Sequence, residues 1–221
     1  MSQSSADGGA VTAIFGGSFN PPHLGHAMVA AWLKWTGRAD DVWFVPAFEH
    51  AFGKPLAPFE NRLAALHRLT ALLNPPQLPQ LQREDLVHAR GEGDVPEMVS
   101  AVVGDPGGER GWAGVSALER DLARPSYTIR TLDALQGQFP GRRFRLVVGA
   151  DVWAQMPMWK EHERVRKEYA PIVVGRAGHP EVPGVPTFPG ISSTAIREAI
   201  GRGEDVSGWV PAMVLRAWEG G

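Results

Sequence analysis

The hydrophobic positions of the chain form short continuous runs that alternate with stretches of helical spacing. Four mostly apolar runs, each ending at a glycine or a proline, predict buried parallel strands over residues 11–15, 41–45, 144–148 and 171–174. Apolar residues at helical spacing, or a helix-start signal before a short apolar stretch, predict helices over residues 24–35, 59–73, 128–138, 193–200 and 211–218. Strands that alternate with helices favour right-handed βαβ units, so we expect an α/β fold with a Rossmann-like, doubly wound parallel sheet.

Two parts of the chain lack this regularity. Residues 1–10 are small, polar and rich in glycine, and we expect a flexible N-terminal tail there. Residues 74–115 contain several prolines and only short apolar runs, which indicates an insertion or an elaborated crossover. A chain of 221 residues fits one domain. We therefore expect a single domain over residues 11–221 with an elaborated 74–115 region.

Charge and composition exclude several classes of function. The 22 basic and 24 acidic side chains give a net charge of -2, which provides no basic field for nucleic acid. The absence of cysteine excludes disulfides, thiolate metal sites and a cysteine nucleophile. The chain has no apolar run of the ~18 residues needed to span a membrane, and its start does not resemble a secretory signal. We expect a cytoplasmic protein without membrane or nucleic-acid partners; its oligomeric state stays open.

The segment after the first predicted strand is the first candidate for chemistry. Residues 16–26 read GGSFNPPHLGH, in which two glycines permit a sharp turn and a close approach to a ligand. The following helix directs free N–H groups to the same place, which suits a phosphate. His23 and His26 lie three residues apart and can face the turn together. Either histidine alone is more typical of a structural turn, but the combination favours a phosphate site.

A second segment, residues 190–197, reads GISSTAIR and again places hydroxyl groups at a predicted helix start. Arg197 lies four residues after Ser193, so one helical turn brings its guanidinium back toward the helix start. Taken alone, a Ser-Ser-Thr run before a helix is more often plain helix capping, and an arginine one turn in is compatible with an exposed surface.

The two segments together resemble the nucleotidyltransferase superfamily that carries an HxGH motif, and more narrowly the nicotinate-nucleotide adenylyltransferase family of bacterial NAD synthesis. Residues 125–132 (PSYTIRTL) are similar to the PSYTxDTL segment of that family, and residues 149–159 (GADVWAQMPMW) match its GADxxxxxPxW segment. Val210 and Pro211 match its closing VP. The resemblance implies a sheet of the nucleotidyltransferase type and the joining of ATP to nicotinate mononucleotide, with release of pyrophosphate.

The resemblance also implies roles for particular residues. The catalytic residues would be His23, His26 and Arg197. Nucleotide and phosphate contacts would come from Gly16, Gly17, Ser18, Phe19, Lys54, Gly149, Asp151, Ser192 and Ser193. The acceptor would be bound by Tyr127, Thr128 and Trp159. Helix capping by Asp151 and an exposed loop position for Lys54 remain alternatives. No protein metal site is expected, and Mg²⁺ would arrive bound to ATP.

Two departures from the family pattern concern the acceptor. Arg130 stands where the family has an acidic residue, and Gly53 precedes Lys54 where the family has histidine. The alternatives left open are another acceptor (nicotinamide mononucleotide or phosphopantetheine), CTP as the donor, and a nucleotide-binding regulator without catalysis. Intact His23, His26 and Arg197 favour an enzyme over a regulator.

Overall fold

The computed structural model describes residues 9–49, 55–74 and 111–220. The strands are β1 Val11–Gly17, β2 Asp41–Pro46, β3 Ala113–Val115, β4 Arg143–Gly149, β5 Ile172–Arg176 and β6 Thr187–Phe188. The helices are α1 Leu24–Trp35, α2 Phe59–Leu73, α3 Thr128–Gln138, α4 Ala150–Trp153, α5 His162–Tyr169, α6 Ser193–Gly201 and α7 Ala212–Glu219. Most of the predicted tail, Lys54 and residues 75–110 lie outside the described residues. Among the described helices, none is long and apolar enough to cross a membrane.

The six described strands form one sheet in the order β3-β2-β1-β4-β5-β6, and every neighbouring pair is parallel. This confirms the predicted doubly wound α/β fold. β1 and β4 are neighbours in space but not in sequence, so the chain changes direction across the sheet between them. Ligands of such sheets bind outside the carboxyl ends of the strands at this switch point.

The two faces of the sheet are covered by different helices. Ala13 of β1 belongs to the core cluster that packs under α1 and α2, whereas its neighbour Ile14 belongs to the cluster under α3 and α5. This change of face follows from the alternation of side chains along a strand. A third cluster joins α2 to α6 and α7, so the C-terminal helices pack against α2.

β1 is two residues longer than the apolar run predicts. Gly16 and Gly17 continue the strand and pair in register with Val45 and Pro46. A Cβ atom on Gly17 would lie 3.2 Å from the ring of Phe19, which turns back over the strand with a positive φ of 46°. Glycine at position 17 therefore lets the chain fold closely over the strand end.

Arg62 is buried at the start of α2, where it is 1% exposed. Its guanidinium donates hydrogen bonds to the carbonyl oxygens of Ser18 and Ala47, both at 2.8 Å. It also donates to the carbonyl oxygens of Ala57 at 2.9 Å and Phe48 at 3.2 Å. Burial lowers the pKa of Arg62, and within the described residues no carboxylate forms an ion pair with it. One side chain thus joins the loops that follow β1 and β2.

Replacing Arg62 should destabilise the protein strongly. Arg62→Met removes the donor of four hydrogen bonds, and we expect a loss of about 3 kcal/mol or more in the free energy of unfolding because buried carbonyls lose their partner. Urea unfolding measures the change. Arg68→Met, on the exposed side of the same helix, is the matched control and should change stability by less than about 0.5 kcal/mol. Equal stability of the two variants would contradict this role of Arg62.

Candidate active site

The predicted histidine pair lies just beyond the carboxyl end of β1, at the start of α1. The rings of His23 and His26 stack with centroids 3.8 Å apart. The backbone N–H of His23 donates to Nδ1 of His26 at 3.1 Å. Since Nδ1 of His26 accepts this bond, a neutral His26 carries its proton on Nε2. That N–H is then a hydrogen-bond donor for a ligand at the strand end.

Aromatic packing and a glycine fix the positions of the two histidines. The ring of Phe19 meets that of His26 edge-on at 4.9 Å, and Phe15 lies 5.7 Å away. A Cβ atom on Gly25 would lie only 3.0 Å from the His23 ring, so a side chain at this position would push that ring out of place by a few tenths of an ångström. Phe19 is 2% exposed. Its ring is part of the core, and any phosphate contact predicted for Phe19 would involve its backbone.

Both histidines are held in the neutral form. Burial, followed by the positive charge of Arg176, lowers the pKa of His23 from its usual 6.5 to about 4. Burial, followed by the neighbouring His23 and Arg176, lowers the pKa of His26 well below its usual value. Nδ1 of His23 is buried without a hydrogen-bond partner among the described residues. The pair therefore supplies hydrogen bonds rather than fixed positive charge at neutral pH.

Arg176, which was not predicted from the sequence, supplies the fixed positive charge near the histidines. It is the last residue of β5, and one of its Nη atoms lies 3.7 Å from a carboxylate oxygen of Asp151 and 2.6 Å from Nε2 of His179. Asp151 follows β4, as predicted, and pairs with this arginine, while α4 has no side-chain capping hydrogen bond among the described residues. The position of Arg176 just after a predicted strand was a signal that could have indicated it.

The C-terminal motif packs directly on the loop that carries the histidines. Ser193 donates a hydrogen bond to the carbonyl oxygen of Pro21 at 2.8 Å. Arg197 donates to the carbonyl oxygen of Asn20 at 2.5 Å and to that of Ser193 at 3.2 Å. Ser192 caps α6 by accepting the N–H of Ala195. The structure therefore brings the two predicted phosphate motifs together, with Ser192 also serving as the cap that the sequence left as an alternative.

A cavity of about 570 Å³ opens between the ends of β1 and β4. Its walls include all three residues predicted to bind the acceptor, together with three of the predicted glycines: Tyr127, Thr128, Trp159, Gly16, Gly17 and Gly149. The cavity is thus large enough for one mononucleotide and is walled partly by aromatic rings.

Glu119 shapes one wall of this cavity and was also missed by the sequence analysis. It is buried and accepts hydrogen bonds from the hydroxyl groups of Ser126 and Thr131. Ser126 and Thr131 flank Tyr127 and Thr128, so the Glu119 carboxylate fixes the segment that is predicted to bind the acceptor. The short 3-10 helix that contains Glu119, Leu118–Arg120, carries no sequence motif that indicates this role. In the described part of the chain, no three His, Asp or Glu side chains are grouped to bind a metal.

The lowered pKa of His23 predicts a loss of stability in acid. Between pH 6.5 and pH 4 the unfolded chain binds a proton at His23 that the folded chain does not, so stability falls as the pH falls through this window. We expect His23 to contribute a loss of about 3 kcal/mol between pH 7 and pH 4. Urea unfolding of the wild type and of His23→Asn measures it. If both proteins lose the same free energy, the His23 pKa is not lowered.

Comparisons with known proteins agree with the geometry. Residues 14–199 match the cytidylyltransferase-like family model. A protein of Anaeromyxobacter dehalogenans (strain 2CP-C) named "Probable nicotinate-nucleotide adenylyltransferase" is 42% identical, over 95% of this chain and 94% of its own length. A protein of the same name from Thermus thermophilus is 35% identical, over 91% of this chain and 92% of its own length.

A solved structure shares the fold. Plasmodium falciparum nicotinic acid mononucleotide adenylyltransferase, complexed with NaAD, matches with a TM-score of 0.64 at 16% identity, over 94% of each chain. With relatives this similar over nearly the whole chain, the protein belongs to the cytidylyltransferase-like family of nucleotidyltransferases, in the group of the nicotinate-nucleotide adenylyltransferases.

Proposed function

We propose that the protein transfers the adenylyl group of ATP to the phosphate of nicotinate mononucleotide, producing nicotinate adenine dinucleotide and pyrophosphate. A phosphate oxygen of the mononucleotide attacks the α-phosphorus of ATP, and the bond between the α-phosphorus and the oxygen bridging to the β-phosphorus breaks. Because the reaction needs no covalent enzyme intermediate, the protein acts by alignment and charge stabilisation. Its ATP substrate points to a cytoplasmic location.

The observation that carries this proposal is that the cavity and the histidine pair share the carboxyl end of β1: Phe15 lines the cavity and its ring lies 5.7 Å from that of His26, although neither histidine lines the cavity itself. Gly16 and Gly17 line the cavity, and His23 and His26 follow in the same loop and the first turn of α1. A mononucleotide in the cavity would therefore direct its phosphate toward the histidines. The bound ATP would place its α-phosphorus at this junction, where the two substrates meet.

The residues around the junction have complementary roles. His26 would donate its Nε2 hydrogen bond to the α-phosphate, where negative charge develops during transfer. Arg197 and Ser193, at the start of α6, would hold the β- and γ-phosphates of ATP. Arg176 would add a positive charge that is close enough to lower the pKa of both histidines. Asp151 would accept hydrogen bonds from a ribose of the nucleotide, and its ion pair with Arg176 keeps it oriented.

On the acceptor side, the ring of Trp159 would stack on the pyridine ring of the mononucleotide. The backbone of Tyr127 and Thr128, at the start of α3, would face its carboxylate. Magnesium would enter as part of the Mg-ATP substrate, with phosphate oxygens and water as its ligands. This assignment fits the donor set, since the described residues include no grouped carboxylates for a metal.

Substrate turnover tests the proposal directly. Pyrophosphate release is measured with Mg-ATP and nicotinate mononucleotide, nicotinamide mononucleotide or phosphopantetheine, and again with CTP as the donor. We expect the highest kcat/KM with ATP and nicotinate mononucleotide. Turnover with only another pair would move the substrate assignment, and no turnover with any pair would favour a nucleotide-binding regulator.

A variant of His26 separates catalysis from folding. His26→Ala removes the donor to the α-phosphate, and we expect kcat to fall by about 100-fold or more. Pyrophosphate release and thermal unfolding are measured together. His67→Ala, on the exposed side of α2, is the control and should keep wild-type activity. A large drop in melting temperature with unchanged kcat would show that His26 is structural.

Gly25→Ala should displace His23 without unfolding the protein. The added methyl group would lie 3.0 Å from the His23 ring, and we expect kcat/KM to fall by about tenfold or more because the catalytic geometry shifts. Gly137→Ala in α3 has open space around the new Cβ atom and is the matched control. Wild-type kcat/KM in Gly25→Ala would show that the position of His23 does not limit the reaction.

A further inference from the structure

We propose that Arg130 and Lys160 make the mouth of the acceptor cavity selective for a negatively charged ring substituent. The protein would then distinguish nicotinate mononucleotide from nicotinamide mononucleotide by charge. This inference rests on the proposed function, because it concerns the acceptor of that reaction.

Both cations lie against the ring of Tyr127, a residue that lines the cavity, although Arg130 and Lys160 are not lining residues themselves. The guanidinium carbon of Arg130 lies 5.3 Å from the centre of the Tyr127 ring, and the ammonium nitrogen of Lys160 lies 4.9 Å from it. Arg130 also donates a hydrogen bond to the carbonyl oxygen of Pro125 at 3.4 Å. Lys160 directly follows Trp159, which also lines the cavity. The ring therefore holds two positive charges close to the acceptor.

Arg130 and Lys160 differ from the other nearby arginines, which form ion pairs with carboxylates. Arg120 lies 2.8 Å from a carboxylate oxygen of Glu60, and Arg124 lies 3.5 Å from one of Glu49. Arg164, on α5, contacts three carboxylates. No carboxylate in the described part of the chain lies within ion-pair distance of either Arg130 or Lys160.

Two carboxylates line the cavity, those of Glu119 and Glu49, and Glu49 is paired with Arg124, which also lines it. Both carboxylate oxygens of Glu119 accept hydroxyl hydrogen bonds from residues of the acceptor loop, so this group is already engaged by the protein. Arg130 and Lys160 together outnumber the one lining carboxylate without a cationic partner among the described residues, so the charged groups around the cavity and the Tyr127 ring are net positive.

Charge is the property that separates the two candidate acceptors. A carboxylate and a carboxamide on the same ring have nearly the same shape, and the phosphate is common to both mononucleotides. Stacking on Trp159 would favour neither of them. A fixed positive field discriminates between them because it stabilises only the carboxylate form.

Charge removal at the two positions tests this inference. Arg130→Gln, Lys160→Gln and the double variant are assayed for kcat/KM with nicotinate and with nicotinamide mononucleotide. We expect the preference for nicotinate mononucleotide to fall about threefold in each single variant and about tenfold in the double variant. The change should appear in KM for nicotinate mononucleotide, since both side chains are exposed at the rim and neither touches the reacting phosphates.

Salt dependence gives a second readout. In the wild type, KM for nicotinate mononucleotide should rise between about 50 mM and about 300 mM NaCl, and it should rise less in the double variant. Arg202→Gln, whose arginine pairs with Glu204 away from the cavity, is the control and should behave as the wild type does.

The outcomes separate this inference from the proposed function. Wild-type turnover of nicotinate mononucleotide, with reduced preference and weaker salt dependence in the double variant, supports both. Wild-type turnover with an unchanged preference in the double variant overturns the role of Arg130 and Lys160 alone. A wild type that does not turn over nicotinate mononucleotide overturns the proposed function and this inference with it.

Discussion

The buried guanidinium of Arg62 is the interaction on which the shape of the site depends. A cation removed from water needs hydrogen-bond acceptors on every side, and Arg62 takes them from the backbone of the loops after β1 and β2. Because these carbonyls belong to different loops, both loops are fixed relative to α2. The histidine pair follows the first of these loops, so its position depends on a side chain that touches no substrate in the proposed reaction.

Asn20 likewise connects the loop after β1 to the C-terminal helices by hydrogen bonds. Its side-chain oxygen accepts the indole N–H of Trp218 at 2.9 Å and the backbone N–H of Ala57 at 3.2 Å. Its backbone carbonyl accepts a hydrogen bond from Arg197. One buried residue therefore links α7, the segment before α2 and the C-terminal phosphate motif. The two motifs that are far apart in sequence meet because the loop between β1 and α1 offers the acceptors for both.

Sequence patterns predicted the parts of this fold that depend on local periodicity. The bounds of α1 and α2 agree with the apolar spacing, and four strands lie where apolar runs indicated them. β3 and β6 were missed because strands of three and two residues leave no readable pattern. The loops of the candidate site were predicted from sequence motifs, such as those at residues 16–26 and 190–197. By contrast, Arg62 and Glu119 acquire their roles from hydrogen bonds that form only in the folded chain and follow no sequence motif.

The proposed site has two sides, one for the phosphates and one for the acceptor, which are held by different residues. A substitution on the acceptor side can therefore leave the phosphate side intact. In the proposed reaction the phosphate side consists of the loop after β1, the end of β5 and the start of α6, and the hydrogen bond between Asn20 and Arg197 joins the first of these to the last. The acceptor side is built from the loop before α3, which Glu119 holds, and from the segment around Trp159. Arg130 points its charge toward the Tyr127 ring and forms none of the hydrogen bonds that join the phosphate groups. Its charge can therefore alter which acceptor binds without disturbing how the phosphates react.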